Sequence, residues 1–207
     1  MAADLLGAVD VVHNIPRAAV LVAVLATIAA GSGAWVYFYF IDKYHFQAVA
    51  PGVLYRDGLR NMREFNNAIT TSRAKSVVSL LDDKEYMKEP FNQEWEYLNR
   101  AKVKMIAIPI KLGGYPTTAD VRKFLTEIDK RHRQPMLIHC AQGIRRTGMM
   151  VAAYQMSVMG WDKDRAKREI QSYGHSERTI GDIKKFIDAY DPEKREVVGE
   201  LGTGSEE

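Results

Sequence analysis

The sequence predicts an α/β domain, with a central, mostly parallel sheet flanked by helices and one transmembrane helix ahead of it. Three observations predict it. Short β-rich runs alternate with helical stretches from about residue 50 onward, an uncharged apolar run precedes them, and a glycine-containing loop joins a compact strand to a helix after Cys140. With 207 residues the chain can hold one medium domain with its own core plus an appendage. The formal net charge of +3, without any Lys/Arg-rich run, argues against nucleic acid as a partner. The single Cys excludes an internal disulfide. The five His and one Cys show no His-x-x-x-His or Cys-x-x-Cys spacing, so neither a metal nor a cofactor is expected.

Residues 1–17 read as an N-terminal tail, and the opening MAADLLGAVD is acidic, unlike the basic start of a cleaved signal peptide. The uncharged run Ala18 to Ile41 would extend roughly 36 Å as a helix, against about 30 Å of hydrocarbon, so residues 18–41 are the expected membrane span. Trp35, Tyr37 and Tyr39 gather beside Asp42 and Lys43, as rings do at the headgroup layer. Arg17 on one side against Lys43, Arg56 and Arg60 on the other gives a single-pass membrane protein with its large C-terminal part in the cytoplasm. Residues 42–49 read as a linker, 50–192 as the folded domain and 193–207 as a polar, flexible tail.

Within the domain, Gly52 to Arg56 (GVLYR) reads as a first strand and Ser76 to Leu81 (SVVSLL) as a buried one. FNQEWEYLNR is a short helix leading to the strand Val103 to Ile110, where Pro109 marks the passage into a loop. In TTADVRKFLTEIDKRH, Val121, Phe124, Leu125 and Ile128 recur at helical spacing behind Thr117 as N-cap. Pro135 to Cys140 (PMLIHC) is the central strand, and helices follow over Thr147 to Met159, Lys163 to Tyr173 and Thr179 to Tyr190. His175 belongs to the connector before the last of them.

Cys140 thus stands at the C-terminal end of a strand, in a loop that feeds a helix, where an open α/β sheet binds ligands and a helix N-terminus offers free N–H groups to an anion. Gly143 lets the loop Ala141, Gln142, Gly143, Ile144 and Arg145 curl into a nest for phosphate. Arg146 can fold over the nest and grip two oxygens of a dianion. Such positive surroundings favour the Cys140 thiolate, which can attack phosphorus, and Thr147 can hydrogen-bond the sulfur when it departs. Arg145 either prefers an anionic substrate from the pocket mouth or is a solvated surface residue.

HCAQGIRRTG resembles the His-Cys-x5-Arg-Ser/Thr signature loop of the protein tyrosine phosphatase superfamily, and the domain's size and order resemble its dual-specificity branch. PGVLYRDGL, VKMIAIPI and MMVAAYQMSVMGWDKDRAKREI extend the likeness over Ala50 to Tyr190. The resemblance implies a cysteine phosphatase-like domain that hydrolyses phosphomonoesters without a metal, through a phosphocysteine. It implies Cys140 as nucleophile, Arg146 as phosphate clamp, Thr147 as partner of the sulfur and His139 as the residue that holds the Cys from behind.

The family usually carries an Asp, the general acid for the leaving group, in the loop after IAIPI, and Lys111 and Leu112 occupy that place here. Asp82, Asp83 and Glu85, which follow the neighbouring strand, and Asp120, which also suits a helix cap, are the candidate substitutes. LLDDKEYMKEP and QEW also resemble stretches of mitochondrial phosphatidylglycerophosphate phosphatases. Three readings follow, in this order. The first is a membrane-anchored phosphatase acting on phosphotyrosine, phosphoserine or phosphothreonine of proteins. The second is the same chemistry on a phospholipid or inositol phosphate, with Lys111 and Arg145 supplying charge. The third is a phosphate-binding pseudophosphatase without an efficient acid.

Overall fold

The structure is a computed structural model that describes residues 16–36, 45–171, 176–199 and 201. It divides into two compact units, Met1–Asp42 and Lys43–Glu207. In the first, helix α1 (Arg17–Val36) leaves Val20, Leu21, Val22, Leu25 and Ile28 exposed. Among the described residues no helix is long and apolar enough to cross a membrane. The span expected over 18–41 is therefore not supported, because the described part of it ends at Val36. Residues 37–41, with Tyr37 and Tyr39, lie outside the described residues, as do residues 1–15 of the expected tail and residues 42–44 of the expected linker. The rest of that linker contributes to a strand, β1 (Gln47–Ala50).

The second unit is built on a five-stranded sheet of β1, β2 (Leu54–Gly58), β3 (Ser76–Ser79), β4 (Lys104–Ala107) and β5 (Met136–Cys140). Their order is β1-β2-β5-β3-β4, with β1 antiparallel and the remaining pairings parallel. All five residues of β5 are buried, as expected for a central parallel strand covered on both faces. Alternation divides them. Met136 and Ile138 join Val78, Leu54 and the helices α4 (Thr118–Ile128), α5 (Arg145–Ser157), α6 (Lys163–Gln171) and α7 (Glu177–Ala189) in one core. Leu137 joins Val77, Phe65 and Leu98 of α2 (Met62–Ser72) and α3 (Glu94–Arg100) in the other.

Local signals set several boundaries. Asn61 accepts the Glu64 N–H and caps α2, a helix whose start is written as Asn followed three residues later by Glu. Thr117 and Asp120 satisfy each other's backbone N–H groups in a capping box at α4. α5 is buried from Arg145 to Met156, the behaviour of a helix wedged between a sheet and its neighbours. The tail expected from residue 193 is corrected. Tyr190–Asp191 (β6) and Glu196–Val197 (β7) form a hairpin, and Arg122 donates to the carbonyls of Lys194 and Arg195. The connector with His175 and residues 202–207 lie outside the described residues.

The register of β2 on β5 sets Asp57 opposite His139 and Gly58 opposite Cys140. Asp57 is buried, and neither carboxyl oxygen makes a hydrogen bond of ordinary geometry. Burial pushes its pKa well above the usual carboxylate range, which favours its neutral form. Between the ordinary carboxylate pKa of about 4 and this raised value, the folded chain keeps a proton that the unfolded chain loses, so this group's contribution to stability falls as pH rises. Asp57→Asn removes that loss, and its melting temperature relative to the unsubstituted chain should be more favourable at pH 8 than at pH 5. An equal difference at both pH values would show that Asp57 ionises normally.

Candidate active site

Cys140 ends β5, and the turn that follows is fixed from below by β2. Gly143 has φ +71°, and a Cβ there would lie 2.2 Å from the Asp57 carbonyl oxygen. Arg56 Nη2 donates to the Gly143 carbonyl at 2.6 Å, and a ring nitrogen of His45, Nδ1, stands 2.7 Å from the Gln142 carbonyl. With these carbonyls engaged on the outside, the loop turns its peptide N–H groups inward, and Gly143 N donates to Cys140 Sγ at 3.2 Å. α5 begins immediately, at Arg145, two residues earlier than Thr147, where the sequence suggested its start.

The thiol lies at the floor of a pocket of about 330 Å³ whose walls include Glu85, Lys88, Phe91, Leu112, Gly113, Ala141 and Gln142. Burial raises the Cys140 pKa, but the Arg146 charge, Thr147 and the Gly143 N–H bring it below its ordinary value. The Thr147 hydroxyl is buried close to the sulfur and makes no hydrogen bond of ordinary geometry. Ile144, also in the loop, accepts the Gly148 N–H at 2.6 Å and is not part of the pocket lining.

Arg146 is buried and aimed by three groups. Nη1 donates to the Leu80 and Ile110 carbonyls, both at 3.1 Å, and to Glu85 Oε2 at 2.5 Å, while Nη2 donates to Glu85 Oε1 at 2.7 Å. A guanidinium has five N–H groups, and among the described residues Nε and the second Nη2 hydrogen have no acceptor here. That side of the fork is left for two phosphate oxygens.

Of the four candidate acids, Glu85 is the one that lines the pocket. Both Glu85 oxygens accept from Arg146, and Oε2 also accepts from Asp82 N at 2.9 Å, so Glu85 orients the clamp. Asp82 accepts from the N–H groups of Lys84, Glu85 and Leu112. Burial raises its pKa, but these bonds and Arg146 outweigh that and lower it, so Asp82 is an ionised tie between two loops. Asp83 is exposed and outside the pocket lining. Asp120 is taken by its capping box. Arg145 is neither a surface residue nor a free phosphate contact, although it reaches the pocket wall. Its guanidinium is spent on Asp182 at 2.8 Å, on the Gly113 and Gly114 carbonyls, and over the Tyr115 ring, so it bolts the loop after β4 to α7.

His139 is fully buried, with Nε2 2.8 Å from Glu94 Oε1. Sequence reasoning missed Glu94, Lys88 and Phe91. Lys88 and Phe91 carry no pattern of their own, and Lys111, which it named instead, is exposed and outside the pocket lining.

The loop's dependence on one backbone contact generates a prediction. Gly143→Ala places a Cβ against Asp57 in a conformation that L side chains resist, so urea denaturation should show a loss of about 2–4 kcal/mol. An unchanged midpoint would mean that the loop is not pressed on β2.

The comparisons with known proteins agree with this geometry. A family model for the DSP-PTPase phosphatase fused to NAD+ kinase matches residues 69–186. The dual specificity protein phosphatase TpbA of Pseudomonas aeruginosa is 31% identical over 137 residues, which are 62% of this chain and 58% of TpbA. The chain thus spans 58% of the length of that relative. The crystal structure of TpbA superimposes with a TM-score of 0.58 at 27% identity, covering 72% of this chain and 87% of TpbA. Two further structures share the fold. The catalytic core of the PP-IP phosphatase SIW14 from S. cerevisiae gives a TM-score of 0.58 at 20% identity over 70% of this chain and 85% of that one. PTPMT1 in complex with PI(5)P gives 0.54 at 18% identity over 69% and 94%. A family model that covers more than half of the sequence means that this chain belongs to the DSP-PTPase phosphatase family.

Proposed function

We propose that this chain hydrolyses phosphomonoesters through a phosphocysteine, with protein phosphotyrosine as its best substrate. The carrying observation is the Cys140 thiol, biased toward thiolate, in a pocket that the Arg146 guanidinium also lines. The sulfur attacks phosphorus as the ester P–O bond breaks, and the leaving oxygen takes the bonding pair. Water then attacks phosphorus, the P–S bond breaks, and Thr147 faces the departing thiolate. The loop N–H groups and the open side of the Arg146 fork hold the equatorial oxygens in both steps.

The preference for an aryl ester follows from the acids. Glu85, Asp82 and Asp120 are engaged in other hydrogen bonds and Asp83 lies outside the pocket lining, so a phenolate departs far more readily than an alkoxide. Phe91 and Leu112 in the pocket wall suit a ring. One structure of TpbA, 26% identical and with a TM-score of 0.56, is a complex with phosphotyrosine, which supports the same assignment. A second reading, an inositol or lipid phosphate, is favoured by Lys88 in the pocket wall and by the SIW14 and PTPMT1 folds.

Phosphate release from a phosphotyrosine peptide, a phosphoserine peptide, an inositol phosphate and a phosphoinositide decides between them. Cys140→Ser should lower release on the order of a thousandfold while phosphate still binds, and Arg146→Lys about a hundredfold, because an ammonium cannot supply two parallel hydrogen bonds. Binding of phosphopeptide without release by the unsubstituted chain would instead support the pseudophosphatase. A leaving-group series across aryl and alkyl phosphates should give a steep dependence on leaving-group pKa. Glu85→Gln should slow both classes alike, since it loosens the clamp. A selective loss on alkyl phosphates would make Glu85 the acid after all.

A further inference from the structure

The pocket above Cys140 has room for more than a phosphoryl group. Its volume of about 330 Å³ falls within the range of sites that bury a small ligand, and its walls change character between floor and rim. Cys140 and Arg146 are buried, Phe91 is partly buried, and Leu112 and Lys88 are exposed. Lys88 thus places a cation on the solvent side of the site. The other charges in the wall are spent on protein partners. Glu85 accepts from Arg146 with both oxygens, and Arg145 donates to Asp182. Among the described residues the Lys88 ammonium has neither a carboxylate nor a hydrogen-bond acceptor, and Glu89, next in the chain, lies outside the pocket lining. The backbone at Lys88 is nevertheless fixed. Its N–H donates to the Glu85 carbonyl at 2.9 Å, and its carbonyl accepts from Asn92 N at 3.0 Å. The 3-10 turn Glu85–Met87, which presents Glu85 to Arg146, therefore also sets the base of the Lys88 stem.

We propose that Lys88 is a specificity-determining residue, which pairs with an acidic side chain flanking the phosphotyrosine of a protein substrate. This rests on phosphotyrosine being the substrate.

With the phosphoryl group on Cys140 and Arg146, an aryl ring beside Phe91 and Leu112 leads the peptide backbone out to the rim. Residues on either side of the phosphotyrosine then meet the wall at the level of Lys88. Its four-carbon stem is flexible and its ammonium acts as a point charge, so it asks for an anion nearby and imposes no bidentate geometry. A carboxylate or a second phosphate meets that requirement. The apolar pair Phe91 and Leu112 beside the cation favours an aryl ring carried on an acidic chain over an inositol polyphosphate, for whose hydroxyls these two side chains offer no hydrogen bond. Charge of one sign at the rim also steers acidic peptides toward the pocket, an effect that salt screens.

Two peptides that carry either Glu or Gln on both sides of one phosphotyrosine, and a third with phosphoserine beside it, read this on the full chain. In the unsubstituted chain kcat/KM should be about fivefold higher for the Glu peptide than for the Gln peptide, the size of an exposed ion pair, with the difference carried by KM. Lys88→Gln should bring that ratio close to one, Lys88→Glu should invert it, and Lys88→Arg should keep it. A Lys88-dependent gain larger for the phosphoserine peptide than for the Glu peptide would identify the preferred anion as a second phosphate, and a gain no larger would identify it as a carboxylate. The affinities of the same peptides for the Cys140→Ser chain, by fluorescence anisotropy, give the ratio without turnover. Absence of phosphate release from every ester, with the affinity ratio intact, would sink the hydrolase reading and leave this one standing. A ratio of one in the unsubstituted chain, a ratio that survives in Lys88→Gln, or a Lys88-dependent preference confined to an inositol polyphosphate overturns the proposal.

Discussion

The contact between Gly143 and the backbone of Asp57 is the constraint on which the site depends. Parallel pairing puts the end of β2 beside the end of β5, so the chain leaving Cys140 must turn within reach of the Asp57 carbonyl, where a Cβ would stand 2.2 Å away. Only the absence of a side chain lets the loop sit that low. Once it does, Arg56 reaches the Gly143 carbonyl, α5 starts at Arg145, and Arg146 swings back above the sulfur. Strand register therefore determines the anion cradle.

Concentrating positive charge around a buried thiol sets a second constraint, because a desolvated guanidinium needs partners before any phosphate arrives. Glu85 and the Leu80 and Ile110 carbonyls meet that need on one side of Arg146. Asp82 ties the same turn to Leu112, which belongs to the loop where the family's acid would stand. The acidic stretch after β3 is thus committed to holding the clamp and the pocket wall.

Arg145 and His139 extend this logic outward. The first fastens the loop after β4 to Asp182 on α7, and the second fastens β5 to Glu94 on α3. Four elements distant in sequence are held around one short loop by hydrogen bonds that are largely shielded from solvent.

Much of this was legible in the sequence. The strand–loop–helix around Cys140, the spacing to Arg146, the Thr147 position and the Thr117 cap follow from residues within one or two turns of each other, where backbone geometry and side-chain reach are set locally. α2 carried a readable cap in Asn61 and Glu64, whereas the short strands β1, β6 and β7 had too few residues to show alternation. The assignment of the charged groups was not legible. Whether Glu85 is an acid or a clamp, whether Arg145 meets substrate or Asp182, and that Glu94 meets His139 depend on which side chains packing brings within about 3 Å of each other. The sequence by itself determined the reaction centre, because a nucleophile and its anion nest form from one contiguous segment. Tertiary structure alone decided the orientation of that centre's polar side chains, because their partners lie 61 residues away in one case and 45 in another.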